Sequence, residues 1–321
     1  MALLTELSLA SAIPLAHAFG IQLERIEALT AGSVNSNFRL TDAAGKIYFA
    51  RLYEEQDHAG AVREHALVAA LDRAGVPVVR ALHNARGGSL ADFQGKAFAV
   101  FPWLDGEILC QGRVNEAACR ELGAALARVH LCSAEAPALP EGRFRIADLR
   151  ARLKRVEAAG RASLLPAVHR IRERLAYYEE LRTRVLEQGI CHGDLFRDNV
   201  LWQGPRLLAL LDFESACVGN FAYDLMVTAL AWCYGSEFDT ALVQALFDGY
   251  QSVRSIPASE AEALRVEGAV ACLRFATTRL TDFSLRVPEG AAPVRDYGRF
   301  LARMTAIEDG ALDRCFASLG A

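Results

Sequence analysis

The chain has 321 residues, 52% of them hydrophobic and 23% charged, the composition of a well-packed protein long enough for two lobes. Its 35 Lys and Arg against 39 Asp and Glu leave a net charge of −4, which excludes a general basic surface for nucleic acid or an anionic membrane. Apolar runs fall short of the roughly 20 residues that a bilayer-crossing helix requires.

The opening stretch MALLTELSLASAIPLAHAFG is apolar and carries an AHA triplet resembling a signal-peptide cleavage site. The first Lys or Arg is Arg25, however, and Glu6 interrupts the apolar run, so the pattern predicts a helix rather than a secretion signal. Strands follow over 21–29 and 37–41, and a turn at 42–45 leads into a third strand over 47–53. Residues 61–74 have helical spacing, with Glu64, Leu67, Val68 and Leu71 on one face, and an inward Glu calls for a cation. A strand pair at 78–82 and 97–103 completes the sheet. Asp105-Gly106 breaks the pattern and puts a lobe boundary near Leu104, giving a sheet lobe over 1–104 and a mostly helical lobe over 105–321. Beyond it, 116–130 reads as a helix, and 149–174 as charged helices interrupted by Gly160 and Pro166. Short strands at 189–192, 199–202 and 207–211 precede helices near 222–234, 239–253, 259–286 and 294–317. The fold class is therefore α+β. Eight cysteines without a CxxC pair argue against zinc and read as reduced thiols of a cytoplasmic enzyme.

The densest chemistry lies in 191–214, CHGDLFRDNVLWQGPRLLALLDFE. Asp194 falls in a tight loop between two strands, Asn199 stands five residues on, and Asp212 ends an apolar strand. This set suits phosphoryl transfer: one carboxylate as base for a hydroxyl, one amide oxygen and one carboxylate for metal ions bridging nucleotide phosphates. A bare carboxylate at the end of a buried strand costs several kcal/mol, by a rough estimate, unless a cation compensates it.

HGDLFRDN followed by an apolar strand and an Asp resembles the catalytic and metal loops of the protein-kinase-like phosphotransferases, specifically the aminoglycoside phosphotransferase superfamily. Within it, HGDLFRDNVLW, LLDFESA and AGSVNSNFRL are similar to the bacterial homoserine kinases of the kinase-like type. The resemblance implies a bilobal kinase-like fold, ATP and Mg²⁺ as cofactors, and a small amino-acid or amino-alcohol acceptor. It implies that Asp194 is the catalytic base and that Asn199 and Asp212 hold the metal. The turn containing Ser33, Val34, Asn35 and Ser36 would cover the phosphates, and Arg51, standing where protein kinases carry Lys, would bind them in partnership with Glu64. Phe101 and Trp103 would flank adenine. His192 is expected to organise the loop and Asp224 to tie a helix start to its backbone. Glu214 is placed to assist the metal, and Arg197, Asp198, Arg274 and Arg279 are candidates for the acceptor site. Kinases of other hydroxylated amines (aminoglycoside, choline, hydroxylysine) and a nucleotide-binding pseudokinase remain open alternatives.

Overall fold

Alternation along the early strands sorts their side chains into a core face and a cleft face. The computed structural model describes residues 5–30, 34–132, 137–142, 145–288, 293 and 295–319. Helix α1 (Leu9–Ala18) is capped by Ser8 and is followed by β1 (Leu23–Leu29), β2 (Ser36–Asp42) and β3 (Ile47–Leu52). Next come α2 (His58–Arg73), β4 (Ala91–Phe93) and β5 (Lys96–Pro102), and the five antiparallel strands lie in the order β1-β2-β3-β5-β4. Phe38, Leu40, Ala50, Phe98 and Val100 pack with Ala12, Leu15 and Ala16 of α1 in one buried cluster. On the other face, Asn37, Arg51 and Ala99 align across three strands, as do Arg39, Phe49 and Phe101. That face overlooks the helical lobe and the site.

One sheet expectation and one helix boundary are corrected. Residues 78–82 do not form a strand: β4 takes the edge of β5 through a hairpin closed by Gln94 and Gly95, both at positive φ (54° and 82°), the backbone that matches strand twist in a two-residue turn. Such a local closure costs little chain entropy. Val78 instead bridges to Leu210, where the carbonyl of Pro77 accepts the Leu210 N–H at 2.7 Å. Helix α2 begins three residues before the expected start because Asp57 caps it, accepting the Gly60 N–H at 2.7 Å.

The second lobe is built from α3 (Glu116–Leu131), α4 (Ile146–Ala158) and α5 (Leu165–Leu181), with Gly160 at φ 70° and Pro166 in the first turn of α5 separating the last two. Strand β6 (Gln188–Cys191) pairs with β9 (Cys217–Asn220), and β7 (Val200–Gln203) with β8 (Arg206–Leu210). Then follow α6 (Phe221–Trp232), α7 (Thr240–Gln251), α8 (Ala258–Asp282), α9 (Gly298–Glu308) and α10 (Asp313–Ala317). The single helix expected over 294–317 is two, because Gly310 turns the chain at φ 86°. Helix α8 runs through the core with Leu264, Leu273 and Leu280 fully buried, each worth roughly 2 kcal/mol of apolar burial. Among the described residues, no helix is long and apolar enough to cross a membrane.

Candidate active site

The loop between β6 and β7 is held from beneath by a buried carboxylate. Asp224, in the first turn of α6, accepts the N–H groups of His192 and Gly193, both at 2.7 Å. His130 Nε2 lies 3.2 Å from the same carboxylate, and its Nδ1 lies 2.6 Å from the Tyr250 hydroxyl. Burial alone would raise the Asp224 carboxyl, but hydrogen bonding and charge from His130 outweigh it and hold it below the usual range. Gly193 sits at φ 74°, and a Cβ there would crowd the Ser215 carbonyl at 3.0 Å, so the turn between the two loops requires glycine. The expected roles of His192 and Asp224 as loop organisers match this geometry. His192 Nε2 also reaches the Leu211 carbonyl at 3.0 Å, and its ring packs on Phe213 at 4.6 Å.

Asp194, Asn199 and Asp212 are brought together. The Asn199 side-chain N–H donates to the Asp194 carbonyl at 2.8 Å, leaving the amide oxygen to serve a cation. The Leu211 N–H donates to the Asn199 carbonyl at 2.9 Å, which fixes one loop against the other. Asp194 accepts from Arg274 Nη1 at 3.1 Å, yet burial still pushes its carboxyl above the ordinary value, as suits a base. Asp212 adopts left-handed backbone (φ 64°, ψ 70°), a conformation that costs a non-glycine residue roughly 1–3 kcal/mol and clusters at functional sites. Its carboxylate and the Asn199 amide are hard oxygen donors of the kind Mg²⁺ takes, and half-exposed Asp212 has room for the ion's waters.

Arg51 rises from the cleft face of β3, with its guanidinium 3.7 Å from both Asp212 Oδ1 and Glu214 Oε1. Burial works against its charge, and Asp212 leads the acids that more than restore it. The expected Arg51–Glu64 pair is corrected: among the described residues, the ion pairs of Arg51 go to Asp212 and Glu214. An arginine side chain is longer than a lysine's and reaches past α2 to the opposite lobe. Glu64 is buried, with Oε2 lacking a hydrogen-bond partner, and burial raises it to about 8 despite the opposing charge of Arg51.

Ser33 lies outside the described residues. Val34 is half-buried, and the Asn35 side-chain N–H donates to Glu214 while its oxygen accepts the Glu54 N–H at 3.1 Å. Ser36 is turned the other way, on the face of Phe38 and Leu40, with its hydroxyl on Glu54 at 2.5 Å. Its side chain anchors the strand, because it alternates with Asn37. Phe101 shares the cleft face with Arg51 and packs on Phe49 at 5.9 Å, and Trp103 covers Arg39 at 5.4 Å.

The four basic and acidic acceptor candidates separate. Arg274 stands at Asp194. Arg197 is half-buried in the 3-10 turn Arg197–Asn199, and exposed Asp198 faces Arg295 at 3.7 Å. Arg279 donates to the Asp296 carbonyl at 2.7 Å and lies over Phe300. Sequence reasoning missed the Asn35–Glu214 contact, which spans 179 positions, and missed His130 as the support of Asp224. Nothing local marks the contact, whereas His130, closing an amphipathic helix whose inner face was evident, offered a faint signal.

The model for the phosphotransferase enzyme family matches residues 25–262. The homoserine kinase of Methylobacterium radiotolerans is 34% identical over 316 residues, 95% of each chain, and that of Methylocella silvestris is 32% identical over 302 residues, 91% of each. Among solved structures, an amicoumacin kinase in complex with AMP-PNP and Ca²⁺ superposes with a TM-score of 0.72 at 17% identity, covering 94% of this chain and 92% of that one. A spectinomycin phosphotransferase gives 0.69 at 13% identity, covering 95% and 99%. A five-stranded lobe over a helical one, two loops locked around Asp194 and Asp212, and relatives matched end to end agree: the chain belongs to the phosphotransferase enzyme family.

Proposed function

We propose that this chain is a homoserine kinase, moving the γ-phosphoryl group of ATP to the side-chain hydroxyl of L-homoserine on the route to threonine. The observation that carries the chemistry is the joining of Asp194, Asn199 and Asp212 across two hydrogen-bonded loops. The acceptor rests on the full-length similarity to homoserine kinases. The nucleotide would lie between lobes divided near Leu104, with Phe101 against adenine and Arg51 turned onto phosphate oxygens. Asp212 and the Asn199 amide oxygen would hold Mg²⁺, whose charge offsets that of the phosphates. Asp194 orients the acceptor hydroxyl and takes its proton as the new O–P bond forms and the bond to the leaving ADP breaks. Arg274 holds the Asp194 carboxylate in place and keeps it from rising further in proton affinity. Lobe closure excludes water that would otherwise hydrolyse ATP. A cytoplasmic, small-molecule enzyme is the corresponding cellular reading.

The test is a coupled ADP-release assay over L-homoserine, choline, hydroxylysine and an aminoglycoside, with the wild type and Asp194→Asn. Homoserine should be preferred, and the variant should lose at least roughly 10³-fold in kcat while still being stabilised by ATP and Mg²⁺. Preference for another acceptor would replace the substrate assignment, and robust turnover by Asp194→Asn would remove Asp194 as the base.

A further inference from the structure

Beside the catalytic loop lies a group of arginines that the phosphoryl-transfer machinery does not use. Arg303, on α9, is only 6% exposed, and its Nε is buried with no hydrogen-bond partner. Its guanidinium rests over the rings of Tyr234 and Phe300 at 4.5 and 4.6 Å, and its hydrogen bond goes to the carbonyl of Arg299 at 3.4 Å. Among the described residues it meets no carboxylate. Arg279, on α8, lies over the same Phe300 ring at 4.4 Å.

The cluster is continuous with the reacting carboxylate. Phe300 stacks on Phe275 at 4.8 Å, and Phe275 meets Phe196, two residues beyond Asp194, at 4.9 Å. Arg274, the ion-pair partner of Asp194, covers Phe275 at 3.7 Å. Arg197 adds its charge from the loop itself, and Arg295 and Arg299 add theirs from the rim. Against these stand the carboxylates of Asp198, paired with Arg295, and Asp296, which accepts the N–H of Gly298. Burial, followed by the neighbouring arginines, lowers Arg279 to about 10, and burial likewise lowers Arg303 to about 10. A buried guanidinium without a counter-ion is costly, and the cost is recovered when a ligand brings the anion.

We propose that Arg303, with Arg279 and Arg197, forms an anion subsite that receives the α-carboxylate of the acceptor while its hydroxyl lies at Asp194. This rests on the amino-acid kinase reading above and adds to it the residues that select an amino acid over an amino alcohol. Arg303 is the specificity-determining member: it is dry, fixed between two rings, and suited to a two-pronged contact with a carboxylate. Arg274, engaged with Asp194, belongs to the base rather than to this subsite.

The test compares L-homoserine with 3-aminopropan-1-ol, the same amino alcohol without its carboxylate, in wild type, Arg303→Met and Arg197→Gln. The wild type should favour homoserine in kcat/KM by roughly 100-fold or more, because a buried polar site discriminates strongly against a ligand lacking the matching group. In Arg303→Met that ratio should collapse by at least roughly tenfold, chiefly through the KM for homoserine, with the KM for ATP held. Arg197→Gln, on a half-exposed turn, should reduce the ratio in the same direction and guards against a folding failure of the first variant. Equal proportional losses on both acceptors in the two variants would overturn the subsite. Calorimetric titration of the wild type and Arg197→Gln with 4-hydroxybutyrate, without nucleotide, separates it from the kinase reading. Saturable binding weakened by the substitution supports the subsite even if homoserine is not phosphorylated, and absence of binding to the wild type overturns it even if homoserine is the substrate.

Discussion

His65 follows the buried Glu64 on α2, and its ring nitrogens are shared between the Tyr53 hydroxyl at 3.0 Å and the Ser89 hydroxyl at 2.7 Å. Burial, helped by the charge of Arg51, lowers it to about 4 from the ordinary 6.5. Between these values the unfolded chain binds a proton that the folded chain refuses, so the stability present above pH 6.5 is lost as pH falls through the window to 4. The linked loss is on the order of 3 kcal/mol, at about 1.4 kcal/mol per pH unit. Urea unfolding across that window should therefore show a flatter acid limb for His65→Gln than for wild type, and parallel limbs would remove His65 from the linkage. This residue was invisible in the sequence, whereas Asp194, Asn199 and Asp212 were legible because three constraints of type and spacing hold within a short segment. Arg51 was found and its partner was not, because a strand position fixes which face a side chain leaves from but not how far a long arginine reaches. Arg303 and the Asn35–Glu214 contact depend on segments far apart in the chain, and no local pattern announces them.

At the scale of elements, α3 and α7 approach closely enough for each to need a glycine against the other's backbone. A Cβ at Gly249 would overlap the carbonyl of Arg120, and one at Gly123 would overlap that of Leu246. Gly249→Ala gains about 1 kcal/mol of helix propensity, but separating two packed backbones costs typically 1–3 kcal/mol, and here the obstacle is a carbonyl rather than a flexible side chain. A net fall of several degrees in Tm is expected for Gly249→Ala, with Gly112→Ala, which meets open space, as the control. An unchanged Tm for Gly249→Ala would mean that the two helices slide apart freely. Helical spacing made α2, α3, α6, α7 and α8 readable, because long periodic faces identify themselves. The errors fell where short-range chemistry competes. The Gln94-Gly95 hairpin displaced an apolar run from the sheet edge, and a single left-handed glycine, Gly310, cut the last helix.

The whole molecule is joined across its cleft in two different ways. On one side the bonds are between backbones: the Pro77 carbonyl of the sheet lobe accepts the Leu210 N–H at 2.7 Å, and just past the lobe boundary Glu107 and Trp202 exchange N–H···O bonds at 2.8 and 2.9 Å, anchoring the segment that leaves the sheet. On the other, the start of β2 and β3 reach the loop carrying Asp212 and Glu214 through side chains, Asn35 to Glu214 and Arg51 to Asp212 and Glu214. The first side has the character of a hinge and the second of a closing edge, in which Glu214 meets both Asn35 and Arg51. Glu214→Ala should therefore raise amide hydrogen exchange over residues 34–42 while leaving 77–82 unchanged, since the backbone bonds there do not involve it. The KM for ATP should rise by roughly threefold to tenfold, the equivalent of about 1 kcal/mol from hydrogen bonds to a charged group. Exchange rising equally in both segments would mean that the lobes move apart as a whole, and exchange rising in neither would mean that Glu214 does not hold the edge closed. The selective outcome follows from the bond types: a side-chain contact is lost when one residue is shortened, whereas a ladder of backbone bonds is indifferent to it.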